Sequence, residues 1–186
     1  MTFNLFPLEH VTGAVLKGID FKEVSPTKAV SYAWGDQVEL MQWQVLKNKE
    51  VSGLRTFNMD VNPKYPLVWL VQDYEGKQFS QREYLFTNLK FVICCDTKAE
   101  WLNTTREKQT MPILEAICKK FLQGISENKN LSIKRENGFP AYTWRKIPNY
   151  SSGGKENESL DIWDAIVLKF DLITNNNCLK LIELCQ

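Results

Sequence analysis

Histidine is almost missing from this chain: His10 is the only one in 186 residues. A cysteine nucleophile paired with a histidine base would have to bring His10 against a strand cysteine. Cys94 and Cys95 have apolar neighbours, which suit buried, inert thiols instead. Zinc is no better served, because the five cysteines include no C-x-x-C pair and the ligand spacing of a zinc site is absent. Net charge is small as well, with 23 Lys and Arg against 22 Asp and Glu. That near-balance argues against a dedicated nucleic-acid binder while leaving room for a local basic patch. No apolar run approaches the ~20 residues that span a bilayer. The opening MTFNLFPLEH lacks the basic start and apolar stretch of a signal peptide. SSGG at 151–154 lies in a polar stretch without the strand-to-helix context of a phosphate loop. These gaps predict a cytosolic product with no cofactor, no metal and no membrane partner.

What remains is a chain built for packing. An apolar fraction of 44% and a charged fraction of 24% are those of a globular protein, and the length suits a single domain over 1–186. Adjacent strand residues point to opposite faces, so Cys94 and Cys95 are badly placed to pair with each other. A reducing compartment, with cysteine used as a small apolar residue, follows.

The clearest periodicity is helical. Ile113, Leu114, Ile117, Cys118, Phe121, Leu122 and Ile125 form one stripe, with Pro112 either in the first turn or kinking a longer helix from near Thr104, and Gly124 near the end. A weaker amphipathic segment covers residues 4–22, interrupted by Gly13 and Gly18. A short strand is expected over 29–36 and a helix over 37–47, followed by a connection through 51–64. PLVWLVQDY, residues 66–74, is a near-continuous apolar run of strand length, EGKQFSQ makes a turn, and YLFTNLKFVICCDT alternates. In that last strand Leu85, Thr87, Leu89, Phe91, Ile93 and Cys95 form the apolar face. LSIKRE suggests another strand, and DIWDAIVLKFDLIT a final one long enough to be central. Between them, residues 136–160 read as a long polar loop, and residues 175–186 as a tail that packs or swaps onto a neighbour. The fold class is α+β, a small mixed or antiparallel sheet flanked by helices.

Features suited to binding are few. Lys119, Lys120 and the IKRE stretch make at most a modest basic edge. Trp101, Tyr142, Trp144 and Tyr150 fall in segments expected to be loops or element ends, where they either cap the core or anchor an interface. Arg145 and Lys146 beside Trp144 favour contact with a partner.

YPLVWL, the spaced residues Thr97, Trp101, Asn103 and Arg106, the MPIL helix start and DIWDAIVLKFDLIT together resemble the tail-terminator or tail-completion (neck) proteins of tailed bacteriophages, of the type found in phages of Bacteroidetes. The resemblance covers residues 65–174. It rests on packing patterns, and the family has no catalytic motif to carry over. It implies a tail-terminator-like fold and a structural, non-enzymatic virion protein, made in the host cytoplasm. Such a protein forms a homo-oligomeric ring, hexamer or dodecamer, at the head-proximal end of the tail or in the neck. It stops tube growth and joins tail to head, with tail-tube and neck or connector proteins as neighbours and DNA only as passing cargo. Rings use head-to-tail contacts between two different patches. Trp101, Arg106, Tyr142, Trp144, Arg145 and Tyr150 are the candidate interface residues.

Other readings stay open. One is a head-tail connector or baseplate component of similar fold. Another is a small cytosolic metal-dependent hydrolase or nuclease, in which Asp73, Asp96, Glu100, Asp161 and Asp164 cluster in space around a hard cation. A nucleic-acid-binding accessory protein is a third.

Overall fold

The computed structural model describes residues 7–24, 29–55, 64–78, 80, 83–150 and 162–175, with the backbone only for 48–55. The elements run in the order α1 (Leu8–Lys17), β1 (Ser31–Gly35), α2 (Gln37–Arg55), β2 (Leu67–Val71), β3 (Glu75–Gln78), β4 (Glu83–Asp96), α3 (Asn103–Gln109), α4 (Met111–Glu127), β5 (Leu131–Ile133), β6 (Arg135–Glu136), β7 (Phe139–Pro140), β8 (Tyr142–Tyr150) and β9 (Trp163–Asn175).

One mixed sheet carries the fold, with strand order β1-β2-β4-β9-β5. Strand β3 continues the β2 side of β4, and β8 lies beside β9 on the same side as β5. The parallel pair β1–β2 is joined by the crossover helix α2, because parallel neighbours cannot be connected by a tight turn. All other pairs are antiparallel. The α+β class with helices against a mixed sheet is therefore as the periodicities indicate.

Helices α1 and α4 pack on one sheet face, over Val68, Leu70, Phe91, Ile93, Leu168 and Phe170. On the other face Leu40 and Trp43 of α2 join Leu67, Trp69, Val92, Cys94, Trp163 and Ala165. Cys94 and Cys95 duly belong to opposite cores. The C-terminal half of β4 is thus buried on both faces, where alternation alone suggested one. In its N-terminal half the expected apolar set also breaks. Asn88 adopts φ 60° and the β4–β9 register shifts between Phe86 and Leu89. This bulge moves Phe86 to the side of Leu89, and Leu85 and Thr87 are left half-buried.

Several boundaries differ from expectation for local reasons. Helix α1 is shorter than 4–22, and α2 runs on past Lys47 to Arg55. Glu75–Gln78, expected as a turn, pairs with β4. Pro112 occupies the first turn of α4, and α3 is a separate helix ending at Gln109. Gly124 is not a cap: α4 continues to Glu127, and a Cβ at Gly124 would lie 2.8 Å from Ile19 Cδ1, so the glycine lets the chain after α1 approach α4 closely.

The largest correction concerns residues 136–160. Residues 142–150 are strand β8, and β6 and β7 form a hairpin turning at Asn137 (φ 50°) and Gly138 (φ 85°). Both turn residues have positive φ, the requirement of the two-residue turn that Asn-Gly favours. Residues 151–161 and 176–186, and with them most of the expected loop's second half and nearly all of the expected tail, lie outside the described residues.

Candidate functional site

The six candidate interface residues separate into an interior group and an edge group. Arg106 belongs inside. It is 2% exposed, so the expectation that it anchors an external interface is corrected. Its position is set by α3, which delivers it under the turn 97–101 and against the start of β9. There Arg106 Nε donates to Trp101 O at 3.0 Å, Nη1 to Thr97 Oγ1 at 3.0 Å, and Nη2 to Lys98 O at 2.8 Å. Nη1 also donates to Asp164 Oδ1, forming a buried ion pair. The second carboxylate oxygen of Asp164 accepts from Thr110 Oγ1 at 2.6 Å, and Oδ1 takes the Asn149 N–H at 3.3 Å. A guanidinium offers five N–H donors in a planar fork, and here they bind one carboxylate and four carbonyl or hydroxyl partners in the strand-to-helix turn, the fourth being Ala99 O at 3.5 Å. Trp101, half-buried, is the turn residue whose carbonyl completes this knot.

That knot bears on the carboxylate reading. Asp164, one of five acids considered for a cation, already has its oxygens committed to Arg106, Thr110 and Asn149. Asp161 lies outside the described residues. Among the described residues no three His, Cys, Asp or Glu side chains are grouped closely enough to hold a metal ion. His10 packs edge-on against Trp34, with ring centroids 5.5 Å apart.

The thiols are quiet for a physical reason. Burial pushes Cys95 up to about 12, with Asp96 and Asp164 adding to the effect, and pushes Cys118 up to about 11, with Glu115 adding to it. Both stay protonated at neutral pH. An aromatic disulfide reagent at pH 8 should leave Cys95 and Cys118 unmodified in the native protein and react with both once denaturant is added. Rapid labelling of either in the native state would contradict the burial. Because both folded values lie above that of an unfolded thiol, this contribution to stability is complete below about pH 8.5 and declines as pH rises towards 11–12.

The edge group is different. Among the described residues β8 pairs only with β9, so its outer side is an open sheet edge. The strand alternates Tyr142, Trp144 and Lys146 towards α4 with Thr143, Arg145 and Ile147 towards the face that α2 partly covers. Tyr142 and Trp144 are 45% and 58% exposed, high values for side chains of this size. With Cys118 and Leu122 of α4 and Ile166 of β9 they line an open groove of about 480 Å³. One wall is closed by Lys146, whose Nζ lies 2.5 Å from Glu115 Oε1 and 3.5 Å from Glu107 Oε2. The hydrogen bond to Glu115 holds the Lys146 ammonium above its ordinary pKa. The β6–β7 hairpin, with Phe139 76% exposed near its tip, borders a separate depression shared with Tyr142, Thr143 and Lys169.

Tyr150 ends the strand stacked on Trp163, ring centroids 6.1 Å apart, and so caps the second core while staying partly accessible. Tyr142, Trp144 and Arg145 are therefore exposed side chains of one strand, Tyr150 is a half-buried cap, and Trp101 and Arg106 belong to the interior knot. Two features escaped the sequence reading. Asn-Gly at 137–138 was a legible hairpin signal for the arm that carries Phe139. The role of Asp164 had no local signal, because its partners lie 58 and 54 residues away.

No family model matches this chain, and no curated protein sequence matches it. Among the described residues no helix is long and apolar enough to cross a membrane.

Proposed function

We propose that this is a structural assembly protein of the tail-completion or neck type of tailed bacteriophages, acting as a homo-oligomeric ring in the virion and not as an enzyme. The observation that carries the reading is the edge formed by β8 and the β6–β7 hairpin. It presents an apolar projection, Phe139 on the β6–β7 hairpin, and an apolar groove walled by Tyr142 and Trp144 of β8. Two unlike patches on one chain are what a head-to-tail contact needs, since a heterologous interface closes into a ring when its rotation permits. The occupant of the groove in this reading is a second copy of the chain. Exposed tryptophan and tyrosine provide large contact area at little conformational cost, which is why they dominate interface hot spots. Tail-tube and connector proteins would then sit above and below the ring, with DNA passing through its lumen. The resemblance of residues 65–174 to tail-completion proteins supports this choice among ring-forming functions.

The test is solution mass by light scattering after size-exclusion chromatography over a wide concentration range. A hexamer or dodecamer is expected, with closed rings in particle images. Trp144→Ser should lower the assembly affinity by at least 2 kcal/mol, about 30-fold in each contact, while leaving the melting temperature of the protomer nearly unchanged. A wild-type protein that stays monomeric at every concentration removes the self-assembling ring.

A further inference from the structure

The sheet face opposite α4 is only partly covered. Helix α2 lies over β1 and β2, while among the described residues no helix covers the part built from β4, β9 and β8 beyond Val92 and Val167. Its side chains are Lys90 on β4, Lys169 on β9, and Thr143 and Arg145 on β8. Lys90 stands directly opposite Lys169 in the strand register, and Thr143 is the partner of Lys169 on its other side. Like charges directly opposite each other in a sheet are unfavourable, and none of Lys90, Arg145 and Lys169 has an ion-pair partner among the described residues. Two acids border the surface, Asp171 and Glu136 of the neighbouring hairpin, and Asp171 is already engaged: its carboxylate takes Lys134 Nζ at 3.2 Å and the Asn88 N–H at 3.0 Å. The three cations border a shallow depression of about 360 Å³ whose floor is Ile147, Tyr150 and Val167, with Trp144 at its rim.

We propose that this open basic face binds the phosphate backbone of a single nucleic-acid strand, with Lys90, Arg145 and Lys169 contacting successive phosphates. The site is independent of the ring reading. A chain with a net charge of only +1 places three unpaired cations on adjacent strands, so the patch is local and was invisible in the composition. The geometry favours a polymer over a lone phosphate. A compact anion is held by converging backbone N–H groups, as in a nest or a helix N-terminus. Here the N–H groups of β4 and β9 lie in the plane of the sheet and are bonded to neighbouring strands, and those on the outer side of β8 point out along the sheet edge and not up from the face. What the face offers is point charges spread over three strands, which only a ligand with several charges can use together.

The decisive measurement is fluorescence anisotropy of a labelled single-stranded oligonucleotide of about 20 nucleotides with the full-length protein, from about 50 to 200 mM salt. Binding is expected to weaken with a slope of about −2 in log K against log salt, three phosphate contacts at roughly 0.7 each. The triple change Lys90→Glu, Arg145→Glu and Lys169→Glu should weaken binding at least tenfold and flatten the slope. Lys108→Glu on the exposed surface of α3 should leave it unchanged. Lys90→Glu by itself turns a repelling cross-strand pair into an attracting one, so it should keep or raise the melting temperature while weakening binding. That separates loss of the site from loss of the fold.

Three results would overturn the proposal. One is no binding by the wild-type protein at the lowest salt. Another is full displacement of the strand by low-millimolar inorganic phosphate at constant ionic strength, which would mark a small-anion site. The third is displacement by polyglutamate as effective as by unlabelled strand, which would mark a docking face for acidic protein.

Discussion

Asp164→Ala is expected to destabilise the protein by about 3–5 kcal/mol, the penalty for leaving a buried charge without its partner. The chain length converts that to a fall in melting temperature of roughly 6–20 °C. Asp164 is fully buried and Arg106 is 2% exposed, so water cannot replace the missing carboxylate. The loss also removes the acceptor of the Asn149 N–H and the 2.6 Å acceptor of Thr110 Oγ1, which keeps only the Arg106 carbonyl at 3.3 Å. Arg106→Met should be of similar size, because it leaves the Asp164 carboxylate buried with those two neutral donors alone. The carbonyls of Trp101 and Lys98, which lose their guanidinium donor, lie close enough to the surface to be rehydrated. The double change Arg106→Met with Asp164→Leu should then cost less than the sum of the singles by more than 1 kcal/mol, since neither charge remains. Urea titrations of the four proteins measure this directly. If the single changes each cost under 1 kcal/mol, water reaches the pair and the knot does not hold α3 to β9.

Phe91→Ala should be comparably damaging, at about 3–5 kcal/mol, for a different reason. Phe91 is fully buried at the centre of β4, between a helix and a neighbouring strand. Its ring meets Phe121 of α4 edge-on at 4.9 Å and stacks on Phe170 of β9 at 5.4 Å. Truncation leaves a cavity walled by those two rings and by aliphatic side chains of a well-packed sheet, which have little freedom to collapse into it. A cycle with Phe121→Ala should show coupling of about 0.5–1.5 kcal/mol, the share of edge-to-face geometry beyond area. Cost under 2 kcal/mol for Phe91→Ala would mean that α4 settles into the gap, and hydrogen exchange in α4 would then be faster than in the parent protein.

Two long elements of the core, α4 and β9, were legible because they are periodic. The α4 stripe from Leu114 to Ile125 repeats at helical spacing, and residues 163–172 alternate over a length that only a central strand uses. The edge strand β8 was not legible as a strand. YTWRKIPNY is polar, carries Pro148 and buries little, because an edge strand facing solvent on its outer side has no need of a continuous apolar pattern. The same exposure that hid the strand makes Tyr142 and Trp144 available for contact. Arg106 shows the converse. Its sequence neighbours Thr105 and Glu107 mark a polar helix surface, and nothing local reveals a carboxylate 58 residues on.

By itself the amino-acid sequence determined the composition of the layers: an amphipathic helical stripe over 113–125, apolar strands within 66–74 and 161–174, thiols without activating neighbours, and a charge close to zero. Those properties depend on residue type and on spacing within a few turns, so they survive without knowledge of what lies across the sheet. The tertiary structure alone decided which faces those layers present. Strand order placed Lys90 beside Lys169, the bulge at Asn88 turned Phe86 inward, and the Arg106–Asp164 pair joined α3 to β9. Each of these is a relation between residues more than 50 positions apart or a one-residue change of register, and pairing across a sheet is set by the whole core and not by any single segment.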